Sequence, residues 1–114
     1  MQNDAANKCV TVISDQGPSV NIESPELTRE CKPPVKVVAR FIPNNGKDVD
    51  LSTLKVEMLK FISIDLTSKV MPYATTEGIF AEDLPLPSGN HKIRLSIGDT
   101  GGGVTRLQFE IKVA

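Results

Sequence analysis

Few residues in this chain have the chemistry to act on a substrate. His91 is the only histidine, so any imidazole catalysis must run through it. Ser88 and Asp83 lie close to it in sequence, but the nucleophile elbow G-x-S-x-G is absent, and a triad would have to be assembled by tertiary geometry. The cysteines are Cys9 and Cys31. They form no C-x-x-C pair, and a single histidine cannot complete a Cys2His2 zinc set. Three readings of them compete. The leading one is a structural disulfide Cys9–Cys31, which an oxidising compartment would permit and which would contribute about 3 kcal/mol on the chain-entropy account. The second is two separate buried thiols, since cysteine packs as a small hydrophobe. The third is a reactive thiol.

The remaining polar signals point to turns rather than to chemistry. Asp48, Asp50 and Asp99 are hard oxygen ligands of the type calcium takes, yet no D-x-[DN]-x-[DN]-G loop occurs. Asp48 and Asp50 are expected to bond their own turn backbone, and Asp99 to shape a hairpin. Gly101-Gly102-Gly103 lacks the Lys-Ser/Thr ending of a phosphate loop and no helix follows, so it reads as a hairpin turn. His91 is expected at a strand start, packed and bonded to a turn. No catalytic residue, metal or cofactor is assigned, and the chain is read as a non-enzyme.

Composition narrows the classes further. The chain has 114 residues, one domain's worth, with 13 Lys plus Arg, 14 Asp plus Glu and a net charge of −1. That balance argues against a nucleic-acid binder, which shows a basic excess or stripe. No apolar run approaches the roughly 20 residues of a membrane helix. Trp is absent and aromatics make up 4 %, which weakens a carbohydrate platform or a base-stacking surface. Residues 1–7 are polar, carry no apolar signal-peptide core, and are expected to be a disordered tail ahead of a domain at 8–114. An exported protein would then have lost its targeting segment, and a lipid anchor on a removed upstream cysteine stays open.

The elements that must position these residues alternate with period two, the signature of half-buried strands. Strands are expected at 8–14, 19–23 and 35–42, with Val35, Val37, Ala39 and Phe41 on one face of the third. Residues 51–61 are ambiguous. Leu51, Leu54, Met58 and Phe61 or Ile62 recur at helical spacing, whereas Leu54, Val56 and Met58 alternate with Lys55 and Glu57; the strand is favoured because its neighbours are strands. Further strands are expected at 62–66 and 77–81, with a brief extended piece at 69–73. The last two, 91–99 and 104–113, form the most secure hairpin: Ile93, Leu95 and Ile97 alternate in one, Leu107, Phe109, Ile111 and Val113 in the other. Seven to nine short strands separated by frequent turns specify an all-β antiparallel sandwich.

The run Leu84-Pro85-Leu86-Pro87-Ser88-Gly89-Asn90-His91-Lys92-Ile93-Arg94-Leu95-Ser96-Ile97-Gly98-Asp99 resembles the L-P-x-G-x-H-x-(V/I)-x-(V/I)-x-(V/I)-x-D pattern of bacterial immunoglobulin-like domains. Gly101-Gly102-Gly103 and then Phe109-Glu110-Ile111-Lys112-Val113 are similar to the Gly-rich turn and final strand of that family. Ile22-Glu23-Ser24-Pro25 resembles its opening strand, and Asp50-Leu51-Ser52-Thr53-Leu54-Lys55-Val56 its x-(I/V)-D-x-S-S-L-x-V segment. The likeness spans residues 20–113. It implies an immunoglobulin-like sandwich in an exported or envelope protein of the periplasm, outer membrane or secreted fraction. The work it implies is non-enzymatic: protein interaction or adhesion by a monomer whose partner is a protein or a cell surface, with a surface lipoprotein as one form. A carbohydrate-binding accessory module of a larger secreted protein is the alternative. Contact residues are expected in the loops, at Asn44 and Asn45, at Met71 and Tyr73, and at Gly101 and Gly102. Val70, Met71, Pro72 and Tyr73, with Ile79 and Phe80, are read first as core packing and second as an exposed apolar patch.

Overall fold

A computed structural model of the protein describes residues 9–44, 46–84 and 86–114. The tail expected at 1–7 and the contact residue Asn45 lie outside the described residues. Nine strands are formed among those described: β1 (Val10–Asp15), β2 (Ser19–Ser24), β3 (Val35–Ile42), β4 (Val49–Leu59), β5 (Ile64–Asp65), β6 (Ala74–Thr75), β7 (Gly78–Leu84), β8 (Gly89–Asp99) and β9 (Val104–Val113). They make two antiparallel sheets, ordered β1-β9-β8-β4-β5 and β2-β3-β7-β6. The second order, together with the β9-β8-β4 run, matches the ABED and GFC sheets of an immunoglobulin-like sandwich, with β1 and β5 added at the edges.

The alternation seen in the sequence sets the two inner faces. Val35, Ala39, Phe41 and Ile79 from one sheet pack on Leu54, Val56, Ile93, Leu95, Ile97, Leu107, Phe109 and Ile111 from the other. The β8–β9 hairpin is in register over its whole length, from Gly89↔Val113 to Gly98↔Val104. Residues 51–61 resolve as strand: β4 runs from Val49 and buries Leu54, Val56 and Met58. A helix would have turned one of these three away from the opposing sheet, so tertiary packing decides between the two spacings.

The stretch 62–73 departs from expectation. Only Ile64–Asp65 pairs with β4, and the extended piece expected at 69–73 is helical. A four-residue turn α1 (Thr67–Val70) leads into a 3-10 turn, Met71–Tyr73, with Pro72 in its first positions. Pro72, which suggested the end of an extended piece, is tolerated in a first helical turn because its missing N–H would be unpaired there anyway. The helical turns carry the chain from the β5 edge of one sheet to the β6 edge of the other. Leu66, Val70 and Met71 lean against the core from this crossover.

The expected Cys9–Cys31 disulfide is not formed; both thiols are free and half-buried. The register explains why. Val10 lies opposite Phe109, which places Cys9 one residue further along β9, toward Glu110. Cys31 makes an isolated parallel bridge to Val113. Both cysteines therefore flank the same edge of β9 but about three residues apart, roughly 10 Å at strand rise, beyond the reach of a disulfide. The Cys31 thiol donates instead to Lys112 O at 3.3 Å.

Candidate functional site

The β1–β2, β3–β4 and β8–β9 connections meet at one end of the sandwich. Asn44, expected as a contact residue, ties the second of these to the first: its Nδ2 donates to Gly17 O at 3.2 Å and to Ser19 Oγ at 3.0 Å. The Lys47 side chain lies against Gly101. Thr105, buried in β9, donates to Pro18 O at 2.5 Å and accepts from Gly17 N–H at 3.1 Å. The hairpin turn rests on Asp99, whose Oδ1 accepts N–H bonds from Gly101 and Gly103, each 2.9 Å. Gly102 has φ +90°, and a Cβ on Gly103 would collide with Gln16 O, so both need to be glycine. Asn44, Gly101 and Gly102 thus come together, in a braced turn cluster.

The other residues singled out by chemistry are engaged in structure. His91 is 3 % exposed, and its Nε2–H donates to Pro87 O at 2.7 Å; Nδ1 has no partner among the described residues. The ring is at the start of β8, as the sequence suggested. Ser88 and Asp83 are exposed while the ring points inward. Asp50 Oδ1 accepts from the Ser52 N–H and hydroxyl at 3.1 and 2.6 Å. Among the described residues no three His, Cys, Asp or Glu side chains gather to hold a metal ion.

Met71 and Tyr73 lie in the crossover, on a different part of the surface from the turn cluster. Met71 is half-buried, and Tyr73, with Leu66 and Val70, lines a cavity of about 70 Å³ between the sheets. Ile79 is buried, and Phe80 lies under the Arg40 guanidinium, 5.5 Å from its ring centre. Core packing accounts for Ile79 and, in part, for Val70 and Met71, while Pro72 and Tyr73 are exposed.

The most exposed large apolar side chains lie at the turn between β4 and β5, with lesser exposure at Val12, Ile13, Ile42, Tyr73 and Val104. β4 is paired with β8 as far as Leu59↔Lys92, and Ile64 returns opposite Met58. Residues 60–63 project past the last paired row. Phe61 is 108 % exposed, Ile62 78 % and Ile64 45 %. Burying Phe61 and Ile62 on a partner would contribute roughly 3–6 kcal/mol before the cost of association. The sequence contains one sign of this tip: Phe61-Ile62-Ser63-Ile64 puts three large apolar residues where a strand connection is normally polar. That sign is obscured because Phe61 completes a helical spacing and Ile62 begins an alternating run.

The sheet face behind the tip is of mixed charge, with two lysines, Lys60 and Lys92, next to the tip itself. Outward positions of its sheet carry Lys55, Lys92, Arg94, Arg106 and Lys112 against Asp50, Glu57, Asp65 and Glu110. Glu57 is 3.7 Å from Lys55 Nζ and 3.8 Å from Arg94, distances too long to be strong ion pairs. The Thr67 hydroxyl and then its N–H, 2.9 Å away, hold the Asp65 carboxyl below the usual carboxylate range, with Lys55 assisting. The fold and the tip together define an all-β sandwich that presents an apolar knob with Lys60 and Lys92 at its base. No protein-family model, curated protein or solved structure matches the chain.

Proposed function

We propose that this protein is a non-catalytic contact domain, an immunoglobulin-like module of the exported or envelope class that works by adhesion through its β4–β5 tip. The reading is carried by one observation: Phe61 and Ile62 stand almost wholly in solvent on a hairpin anchored in a fully packed sheet. Two large side chains with this much unrealised burial suit intermolecular contact. Three further features support it. The motif around Gly89 to Asp99 resembles bacterial immunoglobulin-like domains, whose members serve as spacers, adhesion modules and accessory units in the envelope. The turn cluster at the other end is braced internally by Asn44, Asp99 and Thr105, which fits a scaffold role for those loops. His91, the one residue on which imidazole catalysis could rest, is withdrawn from solvent. The extracytoplasmic setting and a lipid anchor on an upstream cysteine belong to the same proposal and rest on the resemblance, since the two free thiols supply no support for an oxidising compartment.

The test is attachment of purified protein to envelope fragments of the producing cell. The double variant Phe61→Ser with Ile62→Ser is expected to lose attachment at least tenfold while keeping its unfolding midpoint. Equal attachment of variant and wild type, or none by wild type, overturns the reading.

A further inference from the structure

The partner of the tip can be inferred from its shape and its charge; this step rests on the contact reading above. The exposed apolar side chains form a knob, not a plate. Exposure is greatest at Phe61 and Ile62 and lower at Ile64, where β5 rejoins the sheet. A protein partner would need a pocket to receive such a knob. A stable protein interface also buries on the order of 1,000 Å² or more in total, far beyond one Phe and two Ile. A bilayer needs neither, because its interfacial layer accepts a few apolar side chains from a convex surface of any outline.

Charge favours an anionic bilayer. Lys60 immediately precedes Phe61, and Lys92 stands opposite Leu59 in the last paired row, so two ammonium groups flank the knob at its base. The sheet face behind them is of mixed charge and the chain as a whole has a net charge of −1, so the attraction is local to these two lysines. Long lysine stems can lie along the apolar knob and keep their charges at the depth of lipid phosphates. The adverse charges are Asp65, which accepts from the Thr67 N–H, Glu110, which lies opposite Lys92 across β8 and β9, and Glu57, which lies between Lys55 and Arg94. We propose that the β4–β5 tip is a membrane-surface anchor: Phe61 and Ile62 enter the headgroup–acyl boundary of an anionic phospholipid bilayer, while Lys60 and Lys92 meet its phosphates.

The chain contains no Trp, so Phe61→Trp supplies a single reporter at a site too exposed for the change to disturb folding. The probes are phosphatidylcholine vesicles with and without phosphatidylglycerol. With phosphatidylglycerol, the indole emission of the Phe61→Trp variant is expected to shift to the blue, the protein to sediment with the vesicles, and binding to fall as salt rises. Lys60→Glu is expected to weaken binding about tenfold, from roughly one charge's worth of surface attraction lost and a repulsion gained. Phe61→Ser with Ile62→Ser is expected to abolish it. No shift and no sedimentation with anionic vesicles overturns the inference, as does binding that ignores both salt and Lys60→Glu. If wild type ignores lipid vesicles but attaches to envelope fragments through the tip, the partner is a protein; the inference falls and the contact reading stands. If tip-dependent self-association is found in its place, the knob is an interface between two copies and the inference likewise falls. If wild type binds neither vesicles nor fragments, both fall.

Discussion

Replacing Asp99 with Ala tests whether the β8–β9 turn is held by one carboxylate. Asp99 is 6 % exposed, and its Oδ1 accepts two backbone N–H bonds at 2.9 Å, from Gly101 and Gly103. A hydrogen bond to a charged group is worth about 1.5–3 kcal/mol net. The glycine amides lie in a turn where Gly101 and Gly102 are exposed, so water can replace part of what is lost. The expected cost is therefore about 2–3 kcal/mol, below the simple sum. With a urea m-value of about 1.5 kcal/mol/M, the unfolding midpoint should fall by about 1.3–2 M. Asp99→Asn separates charge from acceptor: its amide oxygen can still receive both N–H groups, and about 1 kcal/mol should be lost. Urea titrations followed by far-UV circular dichroism measure the midpoints, and amide exchange at Gly101 and Gly103 reports the bonds directly. An Ala variant whose midpoint lies within about 0.3 M of wild type, or an Asn variant as destabilised as Ala, would refute this account of the turn.

Three further outcomes follow from particular contacts. His91→Ala removes a buried ring and its bond to Pro87 O, and is expected to cost about 2–4 kcal/mol in chemical denaturation while leaving attachment through the tip unchanged. Alkylation in urea without reductant followed by intact-mass measurement should label both cysteines; a monomer in which neither is labelled until reductant is added would mean that Cys9 and Cys31 are joined despite their positions on β9. Asp65 has its folded pKa lowered, so its contribution to stability is complete above the ordinary carboxylate value and is lost as pH falls through the folded value. Thr67→Val removes the hydroxyl, and NMR titration should find the Asp65 carboxyl shifted back toward the ordinary range; an unmoved titration counts against the Thr67 contacts as the cause.

The parts of the fold legible in the sequence are those where one periodicity has no rival. Val35 to Phe41, Ile93 to Ile97 and Leu107 to Val113 each alternate over at least five residues, and all three segments point their apolar faces into the core. Asp99 and the glycines after it mark a hairpin, because positive φ and carboxylate bonding to a turn are local properties. The crossover is less legible. Ile62 to Leu66 and Lys69 to Tyr73 carry apolar residues at spacings that suit a strand, yet most of this stretch spans the gap between two sheet edges rather than joining either one.

The candidate site shows the same division more sharply. Asn44, Gly101 and Gly102 are loop residues by sequence, and they do meet in space. Only the structure shows Asn44 bonded to Gly17 and Ser19, engaged within the fold. Met71 reads in sequence as a contact or a core residue, and the crossover half-buries it against the core. Phe61 and Ile62 fit a strand or helix pattern, and the end of β4–β8 pairing at Leu59 leaves them outside both.

The sequence by itself therefore determined the class of the protein, a β-sandwich with turns at its glycines and asparagines, because alternation and turn chemistry are written in neighbouring residues. Tertiary structure decided which apolar residues stay in water and whether the two thiols meet. Both depend on where paired strands end and on register across β9, and those are set by packing between segments far apart in the chain.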